Sequence, residues 1–288
     1  MCCSEPLTSP PCLSRGTSLA SVAALLALLT AFCLFARGAE VKLEPNARWQ
    51  LEFPDLPATL ATMTTGKMQP ARLTARLPAN YSPESRFPLF VFLNGGNGGH
   101  GDTLPIDHKT VGSNDFICVN LPLFRRRLDT NIVSMDDFDT ISRAYRTMLQ
   151  RLLETVPNTT PERSALGGFS NGAHTTAVLL TGQDQFILDH FRAFFLIEGG
   201  FSLLSSNALQ KPAMKRCRFL LLRGDSSDNE NHDVRDHLAQ GLQNAAQEHR
   251  LDFTSVVMHG YGHELPPKYQ ALLGQWTRGE KVTNMLKK

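Results

Sequence analysis

The chain has 288 residues, 42% hydrophobic and 19% charged, with 29 Lys and Arg against 27 Asp and Glu for a formal net charge of +2. This is the composition of a soluble globular protein, and it leaves no basic excess for a nucleic-acid surface, whose phosphate contacts need cationic residues gathered on one face. The only basic run, Arg125-Arg126-Arg127, reads as a solvated loop.

The first element is an uncharged stretch from Leu19 to Ala36, rich in Leu and Phe and preceded by Arg15. It predicts an export signal cleaved before Ala39, with a retained membrane tether through residues 19–36 as the competing reading. Lipoprotein processing at Cys33 is disfavoured by the bulky Phe32 before it. The expected organisation is therefore a signal peptide or anchor (1–38), a lead segment (39–65) and one α/β domain (66–288). The protein is expected to be secreted, or periplasmic and held at the cell envelope. Four of the six cysteines lie in or before the export segment, and Cys118 with Cys217 remain as two buried thiols or one disulfide. No zinc pattern is present, and no metal or cofactor is expected.

Further along, residues 72–77 alternate as a half-exposed edge strand does, whereas 87–93 (FPLFVFL) is a continuous apolar run suited to a strand covered on both faces. A strand is expected at 116–121, then a helix over 136–156 with Ser134 and Asp137 suited to cap it. The alternation repeats: strand to Gly168, helix from Ala173, strands at 191–197 and 218–222, helix at 234–248, strand at 253–258 and helix from Pro267 to Trp276. Such alternation implies a three-layer α/β/α sandwich around a mostly parallel sheet.

In such sheets chemistry collects beyond the carboxyl ends of the strands. Those ends supply Asn94-Gly95-Gly96, then Gly168-Phe169-Ser170-Asn171-Gly172, then Gly224-Asp225-Ser226-Ser227-Asp228, then His259-Gly260-Tyr261-Gly262-His263. The G-x-S-x-G stretch sits between a strand-like and a helix-like segment. There, small residues on either side of Ser170 permit a sharp turn that holds the hydroxyl out as a candidate nucleophile. The Asn171 amide, in the first helical turn, is placed to stabilise an oxyanion.

These residues carry a resemblance. The LNGG turn, the GGFSNG elbow and GYGHELP near the end look like those of an α/β-hydrolase, and among them like small secreted esterases related to polyhydroxyalkanoate depolymerases and feruloyl esterases. The resemblance spans about residues 72–276 and implies a serine hydrolase that cleaves carboxylic esters through an acyl-enzyme. It makes Ser170 the nucleophile and His263, in a glycine-containing loop before a Pro-initiated helix, the base. His259 is the rival base, and His174 is expected to be a packed helix residue. In related hydrolases the acid usually comes several residues beyond the glycine that ends the penultimate strand, which favours Asp228, with Asp225 as the alternative. The oxyanion hole is expected from the amides of Asn171 and Gly96. The segment between 197 and 218 has no room for a helical lid, which points to ester groups on polysaccharides or polyesters. Alternatives are a serine peptidase on the same scaffold, though such enzymes usually add a propeller or cap domain for which no room is seen, and a non-catalytic homologue that binds an envelope ligand. Oligomeric state is not legible.

Overall fold

The computed structural model describes residues 42–56, 70–96, 106, 108–123, 135–226 and 232–282, all within one unit that begins at Lys42. Strands β1 (Arg48–Phe53), β2 (Ala71–Arg76) and β3 (Phe87–Leu93) are followed by the short helix α1 (His108–Val111), β4 (Ile117–Asn120) and the long helix α2 (Met135–Thr155). Next come β5 (Thr159–Phe169), α3 (Asn171–Thr181), α4 (Gln185–His190), β6 (Ala193–Ile197) and α5 (Ser206–Leu209). The chain then passes through a 3-10 turn (Pro212–Arg216) to β7 (Arg218–Gly224), α6 (His232–Glu248), β8 (Asp252–Met258) and α7 (Pro267–Arg278).

The eight strands form one sheet in the order β1-β2-β4-β3-β5-β6-β7-β8. The β1/β2 and β2/β4 pairs are antiparallel, and every pair from β4/β3 to β7/β8 is parallel. Parallel strands bury both faces beneath their crossover helices, and β3 shows why an unbroken apolar run is needed. Leu89, Val91 and Leu93 of β3 face one core with Ile141, Tyr145 and Met148 of α2 and with Val178 of α3. Phe90 and Phe92 face the other, with Phe195 of β6 and with Leu272, Leu273 and Trp276 of α7. The Phe90 and Phe195 rings, from two strands of the sheet, stack at 5.5 Å within that second core.

One expectation changes. Residues 72–77 do not form the sheet edge, because the lead segment itself supplies an outer strand. The sequence RWQLEF alternates so that Arg48, Gln50 and Glu52 are exposed while Trp49, Leu51 and Phe53 turn inward, and β1 pairs along the whole of β2. The two cysteines are buried thiols rather than a disulfide, and burial pushes the Cys217 thiol up to about 11. The export segment 19–36, the run Arg125–Arg127 and Ser134 lie outside the described residues. Among the described residues no helix is long and apolar enough to cross a membrane.

Candidate active site

Strand β5 ends at Phe169 and α3 begins at Asn171, so Ser170 alone makes the turn. Its φ of 53° and ψ of −116° are conformationally costly for a residue with a side chain, on the order of 1–3 kcal/mol, and persist only where neighbours over-determine the backbone. Those neighbours are visible. The Ser170 N–H donates to the Ile197 carbonyl at 2.8 Å, and the Ser170 carbonyl accepts from His174 N–H at 3.0 Å. On either side, a Cβ on Gly168 or Gly172 would lie 2.4 Å or 2.1 Å from the Leu93 carbonyl oxygen, so only glycine lets the elbow press against the end of β3.

The turn after β3 completes this wall. Gly95 N–H donates to Asn94 Oδ1 at 2.9 Å, and the Asn171 side-chain amide donates to the Gly96 carbonyl at 3.1 Å. Gly96 has φ 92°, and a Cβ on Gly95 would lie 3.1 Å from Ser170 Cβ. The glycine turn therefore abuts the serine and is tied to the residue after it. The Asn171 N–H, at the start of α3, belongs to the first helical turn, whose amides have no carbonyl partner within the helix.

His263 lies in the loop between β8 and α7, and its Nε2 is 2.8 Å from Ser170 Oγ. The loop is fixed at its root by bonds from Tyr261 N–H to the Met258 carbonyl (3.2 Å) and from Ser226 N–H to the Tyr261 carbonyl (3.0 Å). The Phe169 ring packs against the imidazole with centroids 5.0 Å apart. The imidazole remains half exposed, on the rim of the sheet.

Among the described residues, the carboxylate that meets the other imidazole nitrogen is not that of the alternative acid, Asp225. It is Glu198, immediately after β6, whose Oε2 lies 3.4 Å from His263 Nδ1. Glu198 is wholly buried at its side chain and, like Ser170, has a positive φ, 55°. The next residue must be glycine, since a Cβ on Gly199 would lie 2.5 Å from the Ser170 carbonyl oxygen. Glu198 Oε1 accepts a short hydrogen bond from Gly224 N–H, and Oε2 accepts from an Arg235 guanidinium nitrogen at 2.6 Å. Burial by itself would raise this carboxyl. The bonds from His263 and Arg235, the Arg235 charge and the Gly224 amide outweigh it and hold Glu198 below the usual carboxylate range.

Asp225 is committed elsewhere: Oδ2 lies 2.6 Å from His259 Nδ1, and Oδ1 accepts from Gly260 N–H at 2.7 Å. The Gly260 bond, followed by His259, lowers its carboxyl. Asp225 thus fastens the turn that leads to His263 and is not the carboxylate in contact with it. Asp228 lies outside the described residues. His174 accepts from Gly200 N–H at Nδ1 (3.0 Å), as a packed helix residue. Sequence reasoning missed Glu198, although a signal was there: Ile197-Glu198-Gly199-Gly200 is an acid and two glycines directly after an apolar run, at the same sheet edge.

A hydroxyl bonded to an imidazole whose far nitrogen faces an ionised carboxylate can give up its proton while attacking a carbonyl carbon. Among the described residues no group of three or more His, Cys, Asp or Glu is arranged to hold a metal ion.

No protein-family model matches the chain, and neither does any curated protein sequence. Solved structures do. A CE1 ferulic acid esterase from Anaeromyces mucronatus, in complex with ferulic acid, is 13% identical with a TM-score of 0.53, over 84% of this chain and 92% of its own. An esterase from Pyrobaculum calidifontis is 10% identical with a TM-score of 0.51, over 96% of each chain. Dipeptidyl peptidase 4 from Porphyromonas gingivalis is 13% identical with a TM-score of 0.52, over 85% of this chain but only 36% of the peptidase. At such identities the likeness is one of fold, and the fold of this chain is that of the α/β-hydrolases.

Proposed function

We propose that the protein is a serine hydrolase that cleaves carboxylic esters through an acyl-enzyme, with Ser170 as nucleophile, His263 as general base and Glu198 as the acid that orients and stabilises the imidazolium. The observation that carries this reading is the 2.8 Å contact between His263 Nε2 and an Oγ held on a strained strand-to-helix turn. Attack by Oγ forms a tetrahedral intermediate as the proton passes to Nε2. The imidazolium then returns it to the departing alcohol, and water repeats the sequence to release the acid. The Asn171 amide and the Gly96 turn tied to it are the proposed oxyanion donors, Gly95 N–H being committed to Asn94.

The short connection from β6 to β7, which holds only α5 and a 3-10 turn, supports ester groups carried on polysaccharides or polyesters as substrates. The apolar segment 19–36 supports an exported enzyme, released after cleavage or tethered to the envelope. The test is a panel of p-nitrophenyl, feruloyl and acetylated-sugar esters with a dipeptidyl p-nitroanilide, run on wild type and Ser170→Ala in parallel. Turnover of esters by wild type only is expected. Turnover confined to the anilide would make the protein a peptidase, and equal rates for both proteins would dismiss Ser170.

A further inference from the structure

Glu198 Oε2 serves two nitrogen donors at once. Arg235, from α6, reaches it at 2.6 Å, while His263 Nδ1 stands 3.4 Å away, and the second carboxylate oxygen is already taken by Gly224 N–H. The Arg235 guanidinium is itself held in place. It is only one-fifth exposed and lies over the Phe201 ring at 5.5 Å from the centroid. A carboxylate whose sole duty was to serve the histidine would have its charge to itself. Here the stronger of the two contacts belongs to a permanent cation.

We propose that Arg235 is a positioning residue that fixes the Glu198 carboxylate and, by neutralising half of the Glu198–His263 pair, sets the pH below which the enzyme loses activity. The inference rests on the serine-hydrolase reading above. With Arg235 present, the arginine, the carboxylate and a neutral imidazole carry no net charge together, and proton uptake leaves them at +1. Without it, the same uptake takes the pair from −1 to zero. Proton binding by the pair is therefore opposed by Arg235, and the acid limb of the pH–rate profile lies lower than a lone carboxylate would put it. The sign holds whether the added proton resides on the imidazole or the carboxylate, because the Arg235 charge repels it in either place.

The other charged groups nearby are either engaged elsewhere or turned to solvent. Among the described residues, Asp236, the next residue of α6, is paired with Arg223 of β7. Asp225, at the end of β7, holds His259 and Gly260. Glu264 follows His263 and is exposed, and His174 accepts from Gly200 N–H beside Glu198. Arg235 is the cation that the structure sets on the carboxylate.

The experiment is the pH dependence of kcat/KM on p-nitrophenyl acetate for wild type, R235K, R235Q and R235M, each shown to be folded by its melting curve. R235M keeps an apolar stem against Phe201 and serves if R235Q does not fold. The acid limb is expected to move up by about one pH unit in the uncharged variants and to stay with wild type in R235K. A folded uncharged variant whose limb coincides with wild type would overturn the proposal, however far its kcat falls. So would R235K moving as far as R235M. Phosphonate labelling of the same preparations separates the two levels: an unlabelled wild type removes the hydrolase reading, whereas a labelled wild type with an unmoved limb removes only the role of Arg235.

Discussion

Glu198→Gln removes the negative charge beside His263 while keeping the shape of the side chain and an oxygen for the Gly224 amide. At 3.4 Å and an effective dielectric constant of about 20, a carboxylate and an imidazolium attract by about 5 kcal/mol. Two features of the site reduce what is realised: the imidazole is half exposed, and Arg235 shares the same oxygen. Halving the figure for these leaves about 2.5 kcal/mol, a fall in kcat of nearly 10²-fold at about 1.36 kcal/mol per decade. The assay is steady-state hydrolysis of p-nitrophenyl acetate at pH 8, normalised to folded enzyme by tryptophan fluorescence. Asp225→Asn and Asp228→Asn are run alongside. Asp225 acts only through the turn it fastens, so its variant should lose about tenfold or less, a few bonds' worth of ordering. Glu198→Gln retaining a tenth or more of wild-type kcat, with either aspartate variant inactive, would refute the assignment of the acid.

Two further outcomes follow from the same residues. Ser170→Gly should melt about 2 °C above Ser170→Ala in thermal unfolding, since glycine adopts φ 53° without the cost that a Cβ incurs; equal or reversed midpoints would deny the strain. Glu198 has its carboxyl lowered in the fold from an ordinary value of 4.5. Its ionised form therefore contributes stability that is fully present above that value and is lost as pH falls through the depressed one. Melting temperatures followed from pH 7 down to pH 3 should accordingly converge between wild type and Glu198→Gln as the pH drops. Curves that stay parallel would place the carboxylate outside the folding equilibrium.

Much of the fold was legible because local pattern and tertiary role coincide in it. FPLFVFL reads as a doubly covered strand and is one, for the two cores meet on its two faces. The elbow was legible for a similar reason, since glycines two positions either side of a serine have few uses other than close backbone approach. The edge strand at 48–53 is obscured in the sequence although its alternation is regular, because the proline and polar residues around it favour a lead segment. The acid was harder. Glu198, Asp225 and Asp228 all follow apolar runs of the sequence, and in one dimension they are equivalent. What separates Glu198 from Asp225 is the path of the loop carrying His263, which spends Asp225 on His259 and Gly260 and lowers the imidazole onto the end of β6 instead. That path depends on contacts such as Phe169 against His263, which no periodicity encodes.

In the proposed triad one hydroxyl, that of Ser170, is made reactive by the histidine beside it, and covalent capture reads out that reactivity. Wild-type protein treated with a fluorophosphonate at pH 8, digested and examined by mass spectrometry, should carry a single adduct on the peptide containing Ser170, and labelling should slow by about two orders of magnitude in His263→Ala. A folded protein that takes no adduct, or takes it on another serine at an undiminished rate in Ser170→Ala, would contradict the account.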